Sequence, residues 1–267
     1  MTAAAHLLDI RDLAVSYGDG MPPTIADINI TLDNGRTLAI VGESGSGKTT
    51  VIRAALGLLP GEGRVSHGTM HFAGEDLLQY TTEQWRTLRG KDISMIFQDS
   101  GNMMNPIQTV GHQYIEYIRV HEDMTHDEAY ARAAEMLTRM NLQADTVMQS
   151  YPFELSGGMR QRVGIAMAIT FRPKLLLADE PTSALDVTTQ AQIVEELMYV
   201  CRKLGTALII VTHNIGVAAH MAHDLMVMAG GKVIEYGPTM EIITQPASDY
   251  TRSLLAAVPE LGGRRYA

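Results

Sequence analysis

A chain of 267 residues, 46% hydrophobic and 19% charged, is long enough to bury a full core, as one large domain or as one domain with a small companion. Its net charge of −9 argues against a surface built mainly to neutralise nucleic-acid phosphates, and its single cysteine, Cys201, excludes an intrachain disulfide or a thiolate metal cluster. No apolar run reaches the length of a bilayer span and the N-terminus lacks the basic and apolar regions of a signal peptide, so a cytoplasmic location is expected, with any membrane role supplied through a partner.

Residues 7–17 and 25–32 alternate apolar and polar side chains and are separated by Gly18, Gly20, Pro22 and Pro23, which predicts two antiparallel strands. Asn34-Gly35 predicts a turn into a buried strand at 38–41, and a helix is expected from about Lys48. Residues 57–68 read as loop, 69–74 as a short strand and 82–88 as a short helix. A strand over 92–98 ends on Gln98. From about 109 to 150 the pattern turns helical: Thr125 and Glu128 fit a capping box, and Tyr130, Ala133, Leu137 and Met140 share one face. The run 175–178 is too uniformly apolar to have a wet face and predicts a buried strand. A helix follows, with Ile193, Leu197, Val200 and Leu204 as its stripe, Cys201 as a small buried hydrophobe and Gly205 as its stop. A second buried strand at 207–211, a hairpin around Gly230-Gly231 and a helical pattern at 251–257 complete the chain.

Between the strand at 38–41 and the first helix stands Gly42-Glu43-Ser44-Gly45-Ser46-Gly47-Lys48-Thr49-Thr50, a phosphate-binding loop. Its glycines let successive N–H groups turn toward phosphate oxygens, and the following helix adds its positive end. Lys48 is expected to reach the β- and γ-phosphates and the Thr49 hydroxyl to sit on Mg2+. Asp179 closes the apolar strand, where a carboxylate holds Mg2+ through water, and Glu180 beside it is suited to polarise an attacking water. Alternating strands and helices around such a loop predict an α/β fold: a P-loop NTPase core with a mixed, largely parallel sheet, an N-terminal antiparallel β-subdomain and an α-helical subdomain inserted at about 105–171. The loop alone does not choose among kinases, GTPases and transport ATPases.

Leu155-Ser156-Gly157-Gly158-Met159-Arg160-Gln161-Arg162 narrows the choice, because Ser156 with Gly157 and Gly158 opens a second helix N-terminus to a phosphate, and one nucleotide does not need two such cradles in one subunit. At this stretch the sequence resembles the ATP-binding subunits of ABC transporters, a resemblance that extends from about residue 7 to residue 258. The resemblance implies that Ser156, Gly157 and Gly158 face the γ-phosphate held by another subunit's loop. It likewise implies that Tyr17 stacks on adenine, that Gln98 touches Mg2+ and the water, that Ser183-Ala184-Leu185-Asp186 couples the two sites, and that His213 contacts the γ-phosphate as a switch histidine. His220 and His223, three apart, read instead as an exposed helix face.

Tyr151-Pro152-Phe153-Glu154, the signature, Ala178-Asp179-Glu180-Pro181-Thr182 and the stretch Asp249-Tyr250-Thr251-Arg252-Ser253-Leu254-Leu255 resemble most the importer branch for oligopeptides, dipeptides and nickel. Many members of that branch continue into a cysteine-bearing extension; none is present in this sequence, so no iron–sulfur role is expected. The segment 99–106 keeps the final Asn105-Pro106 of the branch but is unusual before it, at the place where the resemblance implies that a membrane subunit docks. The implied organisation is an ATP-binding domain over 1–258 with a short tail at 259–267. The implied cofactors are ATP and Mg2+, and the implied partners two transmembrane permease subunits, a second ATPase subunit and, indirectly, an extracellular solute-binding protein, with no nucleic acid. The implied place of action is the cytoplasmic face of the cell membrane. Two rival classes remain: a non-transport ABC ATPase acting on DNA or ribosomes, for which the chain shows neither a long coiled coil nor a basic face, and a small-molecule kinase, which leaves the signature unexplained.

Overall fold

The computed structural model describes residues 6–18, 20–98, 100–183 and 185–257. The first elements are β1 (Leu8–Tyr17), β2 (Ile25–Leu32), β3 (Thr37–Val41), α1 (Lys48–Ala55), β4 (Gly63–Phe72), β5 (Glu75–Asp76) and α2 (Thr82–Leu88). The middle of the chain forms β6 (Ile93–Ile96), α3 (Ser100–Met103), α4 (Val110–His121), α5 (His126–Arg139), α6 (Ala144–Gln149), α7 (Gly157–Ile169), β7 (Leu175–Asp179) and α8 (Val187–Leu204). It closes with β8 (Ala207–Thr212), α9 (Ile215–Met221), β9 (Asp224–Ala229), β10 (Lys232–Pro238), α10 (Thr239–Thr244) and α11 (Asp249–Ala256). Two compact units result, one formed by the chain up to Trp85 together with the chain from Ala207, the other by Arg86–Thr206.

In the first unit β3 lies parallel between β8 and β9, and β10 returns antiparallel beside β9. All five residues of β3 and all six of β8 are buried, as strands covered on both faces require. A separate antiparallel sheet runs β2-β1-β4-β5. Its register shifts where Asp12 and Asp27 take positive φ, and the Asn29 carboxamide oxygen accepts the Asp12 N–H at 3.0 Å across the irregularity. The expected loop at 57–68 is corrected here: β4 begins at Gly63 and pairs with β1 as far as Tyr17. Both of its glycines serve close approach, and Gly68, with φ of +97°, also takes a backbone conformation that favours glycine. A Cβ at Gly63 would lie 2.5 Å from the Tyr17 ring, and one at Gly68 would lie 2.5 Å from the Arg11 carbonyl oxygen, beside the Asp12 kink.

The second unit joins the parallel pair β6 and β7, in register from Ile93 opposite Leu175 to Ile96 opposite Ala178, to a helical assembly of α4 to α7. Thr125 and Glu128 complete the capping box of α5, with the Thr125 N–H donating to the Glu128 carboxylate at 2.9 Å. The buried stripe of α5 is Ala129, Ala133, Met136 and Leu137, with Met140 at its C-cap; Tyr130 stands aside, its hydroxyl donating to Asp145 at 3.2 Å. Among the fully buried side chains is Tyr114 of α4, whose hydroxyl pairs with that of Thr170 at 2.9 Å, so that burying a phenol leaves no orphaned oxygen. Along α8 the buried set is Ile193, Val194, Leu197, Val200 and Cys201, with Leu204 only half-buried, and Gly205 ends the helix in left-handed conformation. Burial pushes the Cys201 thiol up to about 12, which keeps it an inert part of the core.

Asp186 caps α8, its carboxylate accepting the Thr189 hydroxyl at 2.6 Å and the Thr189 N–H at 3.0 Å, and these two bonds hold its pKa below the ordinary value of 3.8. A group depressed in the folded state stabilises above its unfolded pKa and loses that contribution as pH falls through its folded one. Asp186→Asn preserves the cap but not the charge. The thermal midpoints of wild type and Asp186→Asn are therefore expected to differ by a constant amount near neutrality and to converge below the ordinary aspartate range; parallel curves down to the acid transition would contradict the assignment.

Candidate nucleotide site

The loop 42–50 in the first unit is shaped by positions that admit no side chain. A Cβ at Gly42, where φ is +151°, would overlap the Met228 carbonyl oxygen of β9, and a Cβ at Gly47, where φ is +98°, would overlap Ile25 at the start of β2. The hairpin joining β9 to β10 adds a bond, the Gly231 N–H donating to the Ser46 carbonyl at 3.2 Å, and the Gly231 carbonyl in turn accepts the Ala26 N–H at 3.1 Å. Gly231 cannot carry a Cβ either, because it would strike the Thr24 carbonyl. Within the loop the Ser46 N–H donates to the Glu43 carbonyl at 3.2 Å, while Glu43, Ser44 and Gly45 form its exposed tip.

Lys48 is 5% exposed, and its ammonium donates to the carbonyls of Gly42 at 2.8 Å and Glu43 at 2.7 Å. Gly47 caps α1 without a side chain, and the first turn of α1 contains Lys48 but no acidic residue. A cation and a helix N-terminus behind a curl of glycines form a cradle whose chemistry fits a polyphosphate. Thr49 and Thr50 sit half-buried on that first turn. Tyr17 ends β1 opposite Gly63, its ring lying where the missing side chain leaves space.

The loop begins at the C-terminal edge of β3, and Val41 is in register with Thr212 of the parallel strand β8, so His213 emerges at the same edge of this pair. Its connection to α9 is held by Asn214, whose N–H donates to the Thr212 hydroxyl at 3.0 Å and whose side chain caps the helix through the Val217 N–H. His223 departs from the helix face expected for it, because α9 ends at Met221. Its ring Nδ1 accepts the Thr37 N–H at 3.0 Å and its own N–H donates to the Thr37 carbonyl at 2.9 Å, extending the β3–β9 pairing by a side chain. Burial first, and then the Arg36 guanidinium, hold the His223 pKa below its usual value, which suits an acceptor ring.

In the second unit β6 and β7 deliver Gln98 and Glu180 to one end of a parallel pair, with the Gln98 amide donating to the Glu180 carboxylate at 3.5 Å. Asp179, the last residue of β7, is 4% exposed. Glu180 has φ of +44°, a left-handed conformation unusual for a non-glycine residue, and the Ser183 N–H closes the turn onto its carbonyl at 3.1 Å. The Ser183 hydroxyl reaches back to the Gln98 carbonyl at 3.4 Å. Of the segment 183–186, Ala184 lies outside the described residues, as do Asp99 of the departing segment and the expected tail 259–267.

Ser156 caps α7, its hydroxyl accepting the Met159 N–H at 3.3 Å. Gly158 has a reason beyond an open N–H: a Cβ there would lie 2.9 Å from the Thr189 methyl of α8, and Thr189 is the residue bonded to Asp186. Gly157 looks onto Leu185. The signature and the segment 183–186 are thus packed together within one unit. Sequence reasoning missed the residues that hold the phosphate loop from outside: Thr24, Ile25, Met228 and Gly231, and Tyr250, whose hydroxyl oxygen accepts the Glu43 N–H at 3.2 Å. Only the paired glycines of the hairpin and the tyrosine's own motif offered a signal.

The family profile described as "ABC transporter" matches residues 25–183, and a second profile, described as an AAA domain, putative AbiEii toxin, matches 150–219. The oligopeptide transport ATP-binding protein OppD of Salmonella typhimurium is 45% identical over 258 residues, 96% of this chain and 77% of that protein. The dipeptide transport ATP-binding protein DppD of Escherichia coli is 42% identical over 257 residues, 95% of this chain and 79% of that protein. Among solved structures, cbiO1 of Clostridium perfringens, part of the ABC transporter complex cbiONQ, superposes with a TM-score of 0.77 at 27% identity, covering 91% of this chain and 92% of that one. The ATP-binding cassette MJ0796, solved as a dimer in a post-hydrolysis state with ADP and Pi, superposes with a TM-score of 0.76 at 25% identity, covering 87% of this chain and 98% of that one. With its phosphate loop, its Ser156 signature and a profile match across more than half its length, the chain belongs to the ABC transporter family.

Proposed function

We propose that the chain is the ATP-hydrolysing subunit of an ABC importer that takes up peptides through separate membrane subunits. The observation that carries this reading is the likeness, over nearly the whole chain, to proteins named for oligopeptide and dipeptide transport. Nickel or a metal chelate rests on the branch resemblance alone, and a role as a DNA- or ribosome-directed ATPase draws no support from these relatives. No helix among the described residues is long and apolar enough to cross a membrane, which accords with attachment through two permease subunits at the cytoplasmic face. A solute-binding protein outside the cell would select the cargo.

In this reading the loop 42–50 grips the triphosphate, with Lys48 turning from the Gly42 and Glu43 carbonyls to the β- and γ-phosphates, and Tyr17 packs against adenine. Bound Mg2+ would neutralise phosphate charge, and the hard oxygen donors of Thr49, Asp179 and Gln98 are the residues to hold it. Glu180 is the base that orients water, its carboxylate fixed by a strained backbone and by Gln98, and His213 contacts the γ-phosphate. Two such subunits, identical or sister chains, close head-to-tail so that Ser156, Gly157 and Gly158 of one complete the site of the other. The family resemblance supports this arrangement, and the dimeric state of the MJ0796 cassette accords with it.

Lys48→Ala is expected to abolish tight ATP binding in an equilibrium titration. Glu180→Gln is expected to keep binding, to lower turnover by about 10²–10⁴-fold and to elute as an ATP-dependent dimer on size exclusion; turnover at the wild-type rate would remove Glu180 from its role. For the cargo, ATPase activity of the complex assembled with its permease subunits is expected to rise with peptide-loaded solute-binding protein. Stimulation by a nickel-loaded protein and not by a peptide-loaded one would sink the peptide assignment.

A further inference from the structure

The stretch 249–255 marks a branch of the family by its sequence, but nothing in the hydrolytic reading uses it. In the structure it forms α11, and its second residue, Tyr250, touches the phosphate loop across a sequence separation of 207 residues. We propose that Tyr250 is a positioning residue for the phosphate loop, its hydroxyl oxygen holding the Glu43 N–H, and that a clamp on Glu235 sets the tyrosine in place. The proposal rests on the reading of residues 42–50 as the ATP-binding loop.

The clamp is built from β10. One oxygen of the Glu235 carboxylate accepts the Ala247 N–H at 2.7 Å, and the other accepts the Ser248 N–H at 3.2 Å and the Ser248 hydroxyl at 3.0 Å. Ser248 is the N-cap of α11, accepting the Thr251 N–H at 3.0 Å, and its hydroxyl also meets that of Thr251 at 2.8 Å, where Thr251 is 1% exposed. Desolvation alone would push the Glu235 carboxyl up, but the bonds from Thr251, Ala247 and Ser248 outweigh it and keep the group charged. The start of α11 is thereby fixed in position and direction, and Tyr250, two residues after the cap and next to buried Thr251, has little freedom in where its ring projects.

Glu43 is the residue where such a hold matters. Its carbonyl is gripped by Lys48 at 2.7 Å and by the Ser46 N–H at 3.2 Å, and its N–H by Tyr250. A phosphate that draws the Lys48 ammonium away removes the grip on the carbonyls of Gly42 and Glu43 at the moment the loop must keep its curl. The Tyr250 bond uses neither the Lys48 ammonium nor the carbonyls it leaves, and in this proposal it persists. Its loss is therefore felt in nucleotide affinity more than in the stability of the nucleotide-free chain. Because the loop holds phosphate alike before and during reaction, the loss falls on KM rather than kcat.

Tyr250→Phe in the full chain tests this, titrated by calorimetry with a non-hydrolysable ATP analogue and assayed for hydrolysis of ATP. Loss of one hydrogen bond predicts affinity weakened by about three- to tenfold and KM raised to match, with kcat within about twofold of wild type and an unchanged thermal midpoint without nucleotide. Glu235→Ala is expected to weaken affinity by a similar factor, and the double variant by no more than either alone, since both act through one hydroxyl. Glu235→Gln, which keeps an acceptor oxygen and the shape of the clamp, is expected to fall between. Wild-type affinity in Tyr250→Phe, multiplying effects in the double variant, or a midpoint that drops in parallel with affinity would each overturn the positioning role while leaving the ATP reading intact. A wild-type chain that did not bind the analogue would instead overturn the ATP reading, and the proposal with it.

Discussion

The contact on which the phosphate loop depends is the approach of Gly42 to the Met228 carbonyl, too close for any side chain to intervene. A loop that must turn N–H groups toward an anion leaves few of them for internal bonds, that of Ser46 to the Glu43 carbonyl being one, so its shape has to be imposed largely from outside. Here the walls are mostly backbone, the Ile25 side chain excepted. Met228 sits at one end, Ile25 presses on Gly47, and Gly231 ties Ser46 while itself resting against Thr24. Backbone walls move less than side chains, which gives the curl a definition that the exposed tip at Glu43, Ser44 and Gly45 would lack on its own. The burial of Lys48 follows, because its ammonium finds carbonyls already aligned.

The second unit uses strain where the first uses exclusion. Glu180 accepts a left-handed backbone that costs about 1–3 kcal/mol for such residues, and the bonds from Ser183 to the Glu180 and Gln98 carbonyls maintain it. In return the carboxylate leaves the line of the strand that carries Asp179. Two adjacent acids with different surroundings, one 4% exposed at a strand end and the other turned out of it, are suited to different tasks.

Much of the fold could be read from periodicity. The apolar runs that became β3, β7 and β8, the capping box of α5 and the glycine stop of α8 each carry a local signal that tertiary structure did not override. Reading failed where one residue type has two uses. Gly63 and Gly68 signal turning in a sequence, but in β4 they make room for Tyr17 and for the kink at Asp12, and nothing local distinguishes these roles. The spacing of His220 and His223 suggested one helix, and only the register of β9 with β3 shows that His223 completes a ladder. Among the candidate residues, those of the loop 42–50 and the acids at the end of β7 stand out in the sequence by residue type and spacing. The residues that shape the loop do not, because a carbonyl can come from any amino acid, and Met228 meets Gly42 through its backbone.

The hairpin between β9 and β10 also sets an order of events at the ribosome. The loop is made early, but the hairpin and Tyr250, which help to shape it, are made late: Glu43 and Tyr250 are 207 residues apart, and at about 5–20 residues per second their syntheses are separated by about 10–40 s. For most of that interval the nascent chain has the glycines and Lys48 but neither Met228 nor Gly231 to curl them. A truncated chain ending before the hairpin retains the nucleotide-binding sequence without the walls of its cradle.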